Sequence, residues 1–520
     1  MAFTVKKSFI KMMTAIAVIG SLSSCNPSDG VVSGNNTITS VRLDGYFDDW
    51  PPDTQAHSDS HYLYLLLQFP DTIGLQTSAT ATSVLLDLDG DSTTGATISD
   101  AANSQLMQGV ELELMFAPVA RRNRDGVAGG AALRAYNDAG EATDLPHQAL
   151  GFAAMPTHAS DRYELRIPRY LLEELYGGEL LRADLPMRAR IVQLDAEQHS
   201  SWQSAEIVLN GRGVADGRVP IADAEIPDKS PEAVRIFSVN VEWAAPVEAP
   251  DAFVRIMRAV DPDIVLLQEW DKPSFVLPEG EVTIQYSPEF MQDWFNTHIN
   301  ASASGPSWYA SRNEELGVII MARSEMSAFG NNSVRYALSD GDQALLANSV
   351  RYTGAVVDTH IGKVAVANIH LRCCGALASR EDQSRLAEAV TVNAAFRRAM
   401  ADSGAVLGVV AGDYNLVGST LPLDIIAMGA DSDGSNLAVA PSDVLGGSSN
   451  ITWRDARSGF SPSRLDYILY TDSAASMINS FALDTEVLSD TSLERMGLRR
   501  EDSRFSDHFP LVLDLRLQAP

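Results

Sequence analysis

Long hydrophobic runs are missing from this chain. Met12–Gly20 is apolar but well short of the roughly 20 residues a membrane-spanning helix needs. No second long run follows, which argues against a spanning protein. Cysteine is scarce, with three in 520 residues. Basic residues are also few: 39 Lys and Arg face 68 Asp and Glu, a formal net charge of −29. Such a surface repels polyanions at long range. Sequence-independent DNA binding draws on Lys and Arg to displace counterions, so the balance speaks against a tight non-specific nucleic-acid binder. It does not exclude a nuclease, because a local basic groove or a divalent cation inverts the field locally. Internal repeats are absent, and the one biased tract is the Ser/Asn/Gly-rich stretch after Asn26. What remains is 45% hydrophobic and 21% charged, ordinary globular values, with material for two to four domains.

The N-terminus reads as a targeting segment. Lys6, Lys7 and Lys11 precede the apolar run, and Leu22-Ser23-Ser24-Cys25 follows it, the layout of a secretory signal. The Cys directly after Leu-Ser-Ser resembles the lipobox of bacterial lipoproteins. That resemblance implies cleavage before Cys25, lipid on its thiol, and a protein exported and anchored to the cell envelope rather than spanning the membrane. The expected plan is a signal peptide over 1–24, a tether over 25–39, a first domain over 40–210, a linker over 211–232 rich in Gly, Pro and Asp, and a second domain over 233–517.

The two domains differ in texture. Tyr62–Leu67, Ser83–Leu86 and Val110–Leu114 are short or alternating apolar runs bounded by Gly, Asp and Pro, which predicts an N-terminal all-β sandwich. From Val234 onward, apolar strands such as Ile264–Leu267 and Val364–Ala367 alternate with helical stretches at Asp251–Val260 and Arg380–Met400. That alternation predicts an α/β domain.

Six segments of the second domain carry polar residues at strand ends. Arg235–Asn240 ends in an amide and Asp263–Glu269 ends in Gln-Glu. Ala367–Leu371 contains His370. Val409–Asn415 closes in Gly-Asp-x-Asn. Ser463–Leu469 holds Asp466 inside an apolar run, and Ser506-Asp507-His508-Phe509-Pro510 precedes a final strand. Each alone has an ordinary explanation, since Asp-x-Asn is a common turn and a lone His is more often a satisfied core residue.

Together and in this order, the six segments resemble the endonuclease/exonuclease/phosphatase family, and Gly317–Ser324 resembles one of its strand segments. The resemblance implies a four-layer α/β sandwich, two packed β-sheets flanked by helices, with the site at the strand ends. It implies phosphoester hydrolysis with Mg²⁺ or Mn²⁺. Glu269 would ligate the metal, with Asn240 and Asp507 beside it. Asp413 would align or deprotonate the attacking water, and Asn415 would hold the phosphate or that water. His508 would bind the phosphoryl oxygen with Asp466 fixing its tautomer, and His370 would assist the leaving group. The chemistry asks for these types independently: Mg²⁺ takes hard oxygen ligands, and a carboxylate on the second ring nitrogen raises imidazole basicity.

Arg372, Arg380 and Arg385 are candidates for phosphate contacts, because guanidinium matches phosphate bidentately; solvated surface charge is the alternative. Cys373 and Cys374 are adjacent. Neighbouring Cα atoms lie about 3.8 Å apart, below the usual disulfide range of about 4.4–6.8 Å, so they are either a strained vicinal disulfide or two thiols. In the first domain, Leu43–Trp50, the acidic Leu86–Gly95 and the later Tyr163–Pro168 resemble family-nine carbohydrate-binding modules. That resemblance implies a glycan partner and a structural Ca²⁺, for which Asp87, Asp89 and Asp91 offer clustered oxygens. The expected function is metal-dependent hydrolysis of a small or lipid-borne phosphoester in the bacterial envelope. An extracellular endonuclease or DNase is the alternative, and a catalytically inert glycan-binding lipoprotein is the rival from another class.

Overall fold

A computed structural model describes residues 41–177, 186–210, 216, 220–277, 280–300, 307–312, 317–330, 335–336, 339–340, 343–344 and 348–518. The proposed signal peptide, Cys25, the tether and part of the 211–232 linker lie outside them. Among the described residues no helix is long and apolar enough to cross a membrane.

In the N-terminal part, two antiparallel sheets pack face to face. The four-stranded sheet runs Ala56–Ser58, Tyr62–Ile73, Ser160–Pro168, Ala153–Met155. The seven-stranded sheet centres on Leu112–Phe116, Ala81–Asp87 and Met187–Leu194. Alternation along Tyr62–Ile73 points Leu63, Leu65 and Leu67 toward Val84, Leu86, Leu112 and Leu114 of the other sheet, making one core. The Leu43–Trp50 motif and the late Tyr-Glu-Leu-Arg segment meet inside this region. The buried Glu164 carboxylate accepts from the Trp50 indole N–H at 2.8 Å and from the backbone N–H groups of Asp44 and Gly45 at 3.0 and 2.8 Å. In this fold, therefore, the motif does structural work.

Twelve strands build the two C-terminal sheets. They are β1 (Val234–Asn240), β2 (Ile264–Gln268), β3 (Tyr309–Arg312), β4 (Ile319–Ala322), β5 (Met326–Phe329), β6 (Tyr352–Thr359), β7 (Gly362–His370), β8 (Leu407–Asp413), β9 (Ala438–Val439), β10 (Asp466–Tyr470), β11 (Ala475–Ala482) and β12 (Leu511–Leu517). One six-stranded sheet has the order β3-β4-β2-β1-β12-β11 and the other β5-β6-β7-β8-β10-β9. Ile236, Ile264, Leu266 and Ile320 of the first face Val357, Val366, Val409 and Ile468 of the second in a shared core.

Helices cover the outer faces. Pro250–Val260 (α1) buries Phe253, Ile256, Met257 and Val260 on the first sheet, and Pro288–His298 (α2) packs beside it. The same face carries the 3–4 residue spacing visible in the sequence. Arg380–Ser403 (α3) starts where the Ser379 hydroxyl accepts from the Asp382 N–H and stops at left-handed Gly404; it covers the second sheet with Leu421–Ala427 (α4). The C-terminal part is thus a sheet-rich α/β arrangement with helices on the outer faces.

Two polar devices fix the frame. Asn368 reaches from β7 into the first sheet, donating to the backbone carbonyls of Leu267 and Ile319 at 2.8 Å each and accepting from the Gln268 amide at 2.6 Å. All of it is buried. Asn368→Ala is expected to cost about 1–3 kcal/mol by leaving these partners unpaired, measured as a lower denaturant midpoint at unchanged slope. Arg235 on β1 forms a two-bonded buried pair with Asp514 on β12, both at 2.7 Å.

The segment expected as a linker is docked where it is described. Ala222 donates to the Val487 carbonyl and accepts from the Ser489 N–H, while Ala222, Ala224 and Ile226 pack against the α1 side of the first sheet. Leu43, Ala153 and Met155 from the N-terminal part sit in the same core cluster as Val234 and Leu515, so the two sandwiches share apolar contacts.

Candidate active site

Strand direction gathers the six motifs. β1 and β2 are parallel neighbours with Asn240 opposite Gln268. β7 and β8 are likewise parallel, with His370 opposite Asp413. β10 runs antiparallel to β8 and begins with Asp466 opposite Asp413. β12 runs antiparallel to β1, and Ser506–His508 lie just before its start. Every polar strand end thus falls at one edge of the packed sheets.

There the side chains meet. The Asn240 amide donates to Glu269 Oε1 at 3.0 Å and to Asp413 Oδ2 at 3.3 Å. His370 Nε2 lies 3.7 Å from Glu269 Oε1 and 3.5 Å from Asp413 Oδ2. His508 Nδ1 is 2.8 Å from Asp466 Oδ2, which also accepts from the Thr452 hydroxyl at 2.7 Å. The opposite ring nitrogen, His508 Nε2, faces Asp413 Oδ2 at 3.9 Å. Asn415 donates its backbone N–H to Asp413 Oδ1 at 2.9 Å and its amide to the Leu371 carbonyl at 3.2 Å. Glu269 and Asn415 both adopt positive φ, 56° and 49°, at the sharp turns that leave the strands. Asp507 sits at the rim and accepts from the Trp453 indole at 2.8 Å.

The electrostatics divide the two histidines. Burial pulls the His508 pKa down, but the Asp466 carboxylate at hydrogen-bond distance outweighs it, with Asp413 and Asp507 adding, and the pKa stands raised to about 10. Burial drives the His370 pKa well below its ordinary value, and the Arg351 and His508 charges push it further. At neutral pH the first is a cation and the second neutral. Burial lifts Asp413 to about 8, with Asp466 and Glu269 adding and His508 opposing. Glu269 is likewise raised by burial. Two desolvated carboxylates held near Asn240, with no Lys or Arg ion pair among the described residues, form an oxygen donor set that fits a hard divalent cation.

A family model described as the Endonuclease/Exonuclease/phosphatase family matches residues 237–508. The chain belongs to that family. Its members are phosphoester hydrolases, nucleases and phosphatases among them. Solved structures similar to this chain include the following three. An endonuclease/exonuclease/phosphatase family protein from Leptotrichia buccalis C-1013-b is 14% identical with TM-score 0.34, covering 55% of this chain and 100% of its own. A 3'-5' exonuclease from Neisseria meningitidis is 19% identical with TM-score 0.32, covering 54% and 98%. An AP endonuclease from Archaeoglobus fulgidus is 12% identical with TM-score 0.31, covering 54% and 98%. No curated protein matches the chain.

The arginine candidates separate. Arg385 is fully buried and donates to the carbonyls of Arg372 and Cys374 at 2.8 and 2.7 Å and to Asp382 Oδ1 at 3.1 Å. It shapes the loop after His370 and is not available to a phosphate, which corrects the expectation for it. Arg372 and Arg380 are exposed. Cys373 and Cys374 are free, exposed thiols with sulfurs 3.0 Å apart. Sequence reading missed Arg351, whose guanidinium lies 3.3 Å from both ring nitrogens of His370. It also missed Thr452 and Trp453, and no signal in the sequence marks any of the three.

In the N-terminal part, ligand atoms of Asp87, Asp89 and Glu111 lie within 4.8 Å of one another. Asp91 stands outside that group, turned to its own Thr93. Glu111 therefore takes the place expected of Asp91. Three carboxylates could hold a cation, and Arg188 already pairs with Asp87.

Proposed function

We propose that this protein is a divalent-metal-dependent phosphoester hydrolase, exported and lipid-anchored through Cys25, acting on a small or lipid-borne phosphoester. The observation that carries the hydrolase reading is the convergence of Asn240, Glu269, His370, Asp413, Asp466 and His508 at one sheet edge. Export and anchoring rest on the Lys6–Cys25 pattern alone. The net charge of −29 favours a compact substrate over a long polyanion.

Glu269, with Asn240 and Asp507 beside it, would hold the cation, which when bound neutralises charge on the phosphoryl oxygens and the leaving oxygen. The chain's own groups do the rest. His508, oriented by Asp466 and protonated, donates its Nε2–H toward the space in front of Asp413, where a phosphoryl oxygen would lie. Asp413, anchored through Oδ1 to the Asn415 N–H, keeps Oδ2 toward that space to align the attacking water. Neutral His370 faces the same space from the β7 end, beside the leaving group.

Bis-p-nitrophenyl phosphate, sphingomyelin, inositol phosphates and plasmid DNA, each with Mg²⁺, Mn²⁺ or EDTA, test the reading. EDTA and Glu269→Gln are each expected to lower turnover by about 100-fold or more, the equivalent of a few kcal/mol of charge stabilisation. Turnover that survives both would overturn the metal-dependent reading. Plasmid cleavage outrunning every small substrate would replace the substrate class with nucleic acid.

A further inference from the structure

The loop between Trp453 and Ser463 is tied at its base and gripped at its tip by different parts of the molecule. At the base, Trp453 and Ser463 bridge each other, and Trp453 also bridges to His508. The base touches the site directly: Thr452 donates to Asp466, the Trp453 indole donates to Asp507, and the Arg454 N–H donates to the Asp507 carbonyl at 2.8 Å. Beyond the base, Arg454, Asp455 and Arg457 line a cavity of about 530 Å³ beside Asp507, with Glu242, Glu486 and Arg504 around it.

The tip is held from the N-terminal sandwich, more than 300 residues away in sequence. Gln148 Nε2 donates to the Ser458 carbonyl at 2.6 Å, and the Ala131 N–H donates to the Gly459 carbonyl at 2.7 Å. His147 Nε2 lies 3.0 Å from the Phe460 carbonyl. The Ser461 N–H donates to Gln76 Oε1 at 2.8 Å, and the Arg464 N–H donates to the Thr157 hydroxyl at 2.8 Å. Nearly every bond is to loop backbone. The grip therefore sets the path of the chain rather than reading particular side chains, and a loop so held loses the freedom that an exposed loop normally keeps.

We propose that the N-terminal sandwich is a positioning element of the active site. It holds the Trp453–Ser463 loop so that Arg454, Asp455 and Arg457 form a fixed wall for the non-reacting, polar part of the substrate. Gln76 and Gln148 are the positioning residues. The inference rests on the hydrolase reading for its kinetic consequence but not for the grip itself. Preorganised walls act mainly on binding, so the effect falls on KM more than on kcat.

The full chain carrying Gln76→Ala with Gln148→Ala supplies the test, in two independent arms. Hydrogen exchange of the amides in 454–464 is expected to rise about tenfold or more, with the amides of β7 and β8 unchanged. In the second arm KM for the best substrate of the panel rises about 5-fold or more, while kcat stays within about twofold. Gln148→Lys alone, which restores a donor to the Ser458 carbonyl, keeps KM closer to the wild type than Gln148→Ala does. Unchanged exchange in the loop overturns the grip, and faster exchange with unchanged KM overturns the positioning role. A wild type without phosphoester turnover removes the hydrolase reading and the proposed kinetic consequence with it, while the exchange arm still judges the grip. If the double variant loses global stability, each single variant is read the same way.

Discussion

His508→Ala is expected to lower kcat on bis-p-nitrophenyl phosphate by about 10²–10³-fold, the usual loss when one preorganised donor to a developing oxyanion is removed. The reason is the local geometry. Asp466 holds the Nδ1 side at 2.8 Å, which leaves Nε2 as the only ring donor facing Asp413. Asp466→Asn keeps the shape and removes the charge that raises the imidazole pKa, so a smaller loss of about 10–100-fold is expected. A further loss when Asp466→Asn is added to His508→Ala would mean that Asp466 acts by itself rather than through the ring.

The same pair predicts a pH dependence of stability. The folded pKa of His508, about 10, lies above its ordinary value. Its contribution is then fully present below about 6.5 and is lost as pH rises toward 10. The difference in denaturant midpoint between wild type and His508→Ala in metal-free buffer should shrink over that window. A difference that grows with pH would contradict the assignment of His508 as a buried cation.

Gly412→Ala is expected to be the most damaging single change to the frame of the site. Gly412 has φ of 140°, and a Cβ there would stand 2.0 Å from the Ile369 carbonyl oxygen on the neighbouring strand. Neither atom can move without breaking the β7–β8 ladder that places His370 opposite Asp413. The cost should be about 3 kcal/mol or more, as for other strained backbone positions. Gly404→Ala is the control: φ is 70° but nothing lies within 4 Å, so only the left-handed penalty of about 1 kcal/mol applies. Equal midpoints for the two variants would show that the close approach does not govern the first.

Much of the centre was legible because its residues break a rule. Polar side chains at the ends of apolar strands stand out, and all six such segments come together. Helix α1 was legible in part from the spacing of Val254, Ile256, Met257 and Val260, and α3 as a helical stretch between apolar strands. Contacts that cross between elements were not. Nothing local marks Asn368, two residues before His370, yet it ties the two sheets. Arg351, one strand away, has no local pattern at all. Arg385 was read by residue type as a phosphate contact, and only packing reveals that its guanidinium is spent on loop carbonyls. Glu111 stands in the bend between the strands Gln105–Val110 and Leu112–Phe116, 20 residues from Asp91, and the pairing of Leu112–Phe116 with Ala81–Asp87 brings it to Asp87.

The cluster in which Leu43, Ala153 and Met155 lie with Val234 and Leu515 bears on how the gene can be cut. A fragment beginning at the second sandwich would present those partners as a fresh oily scar to solvent, and it would also lose the chain that steers 453–463. Such a fragment could self-associate and turn over poorly for reasons unrelated to its chemistry. Assays meant to judge the enzyme therefore belong on a polypeptide that keeps residues from Val41 onward.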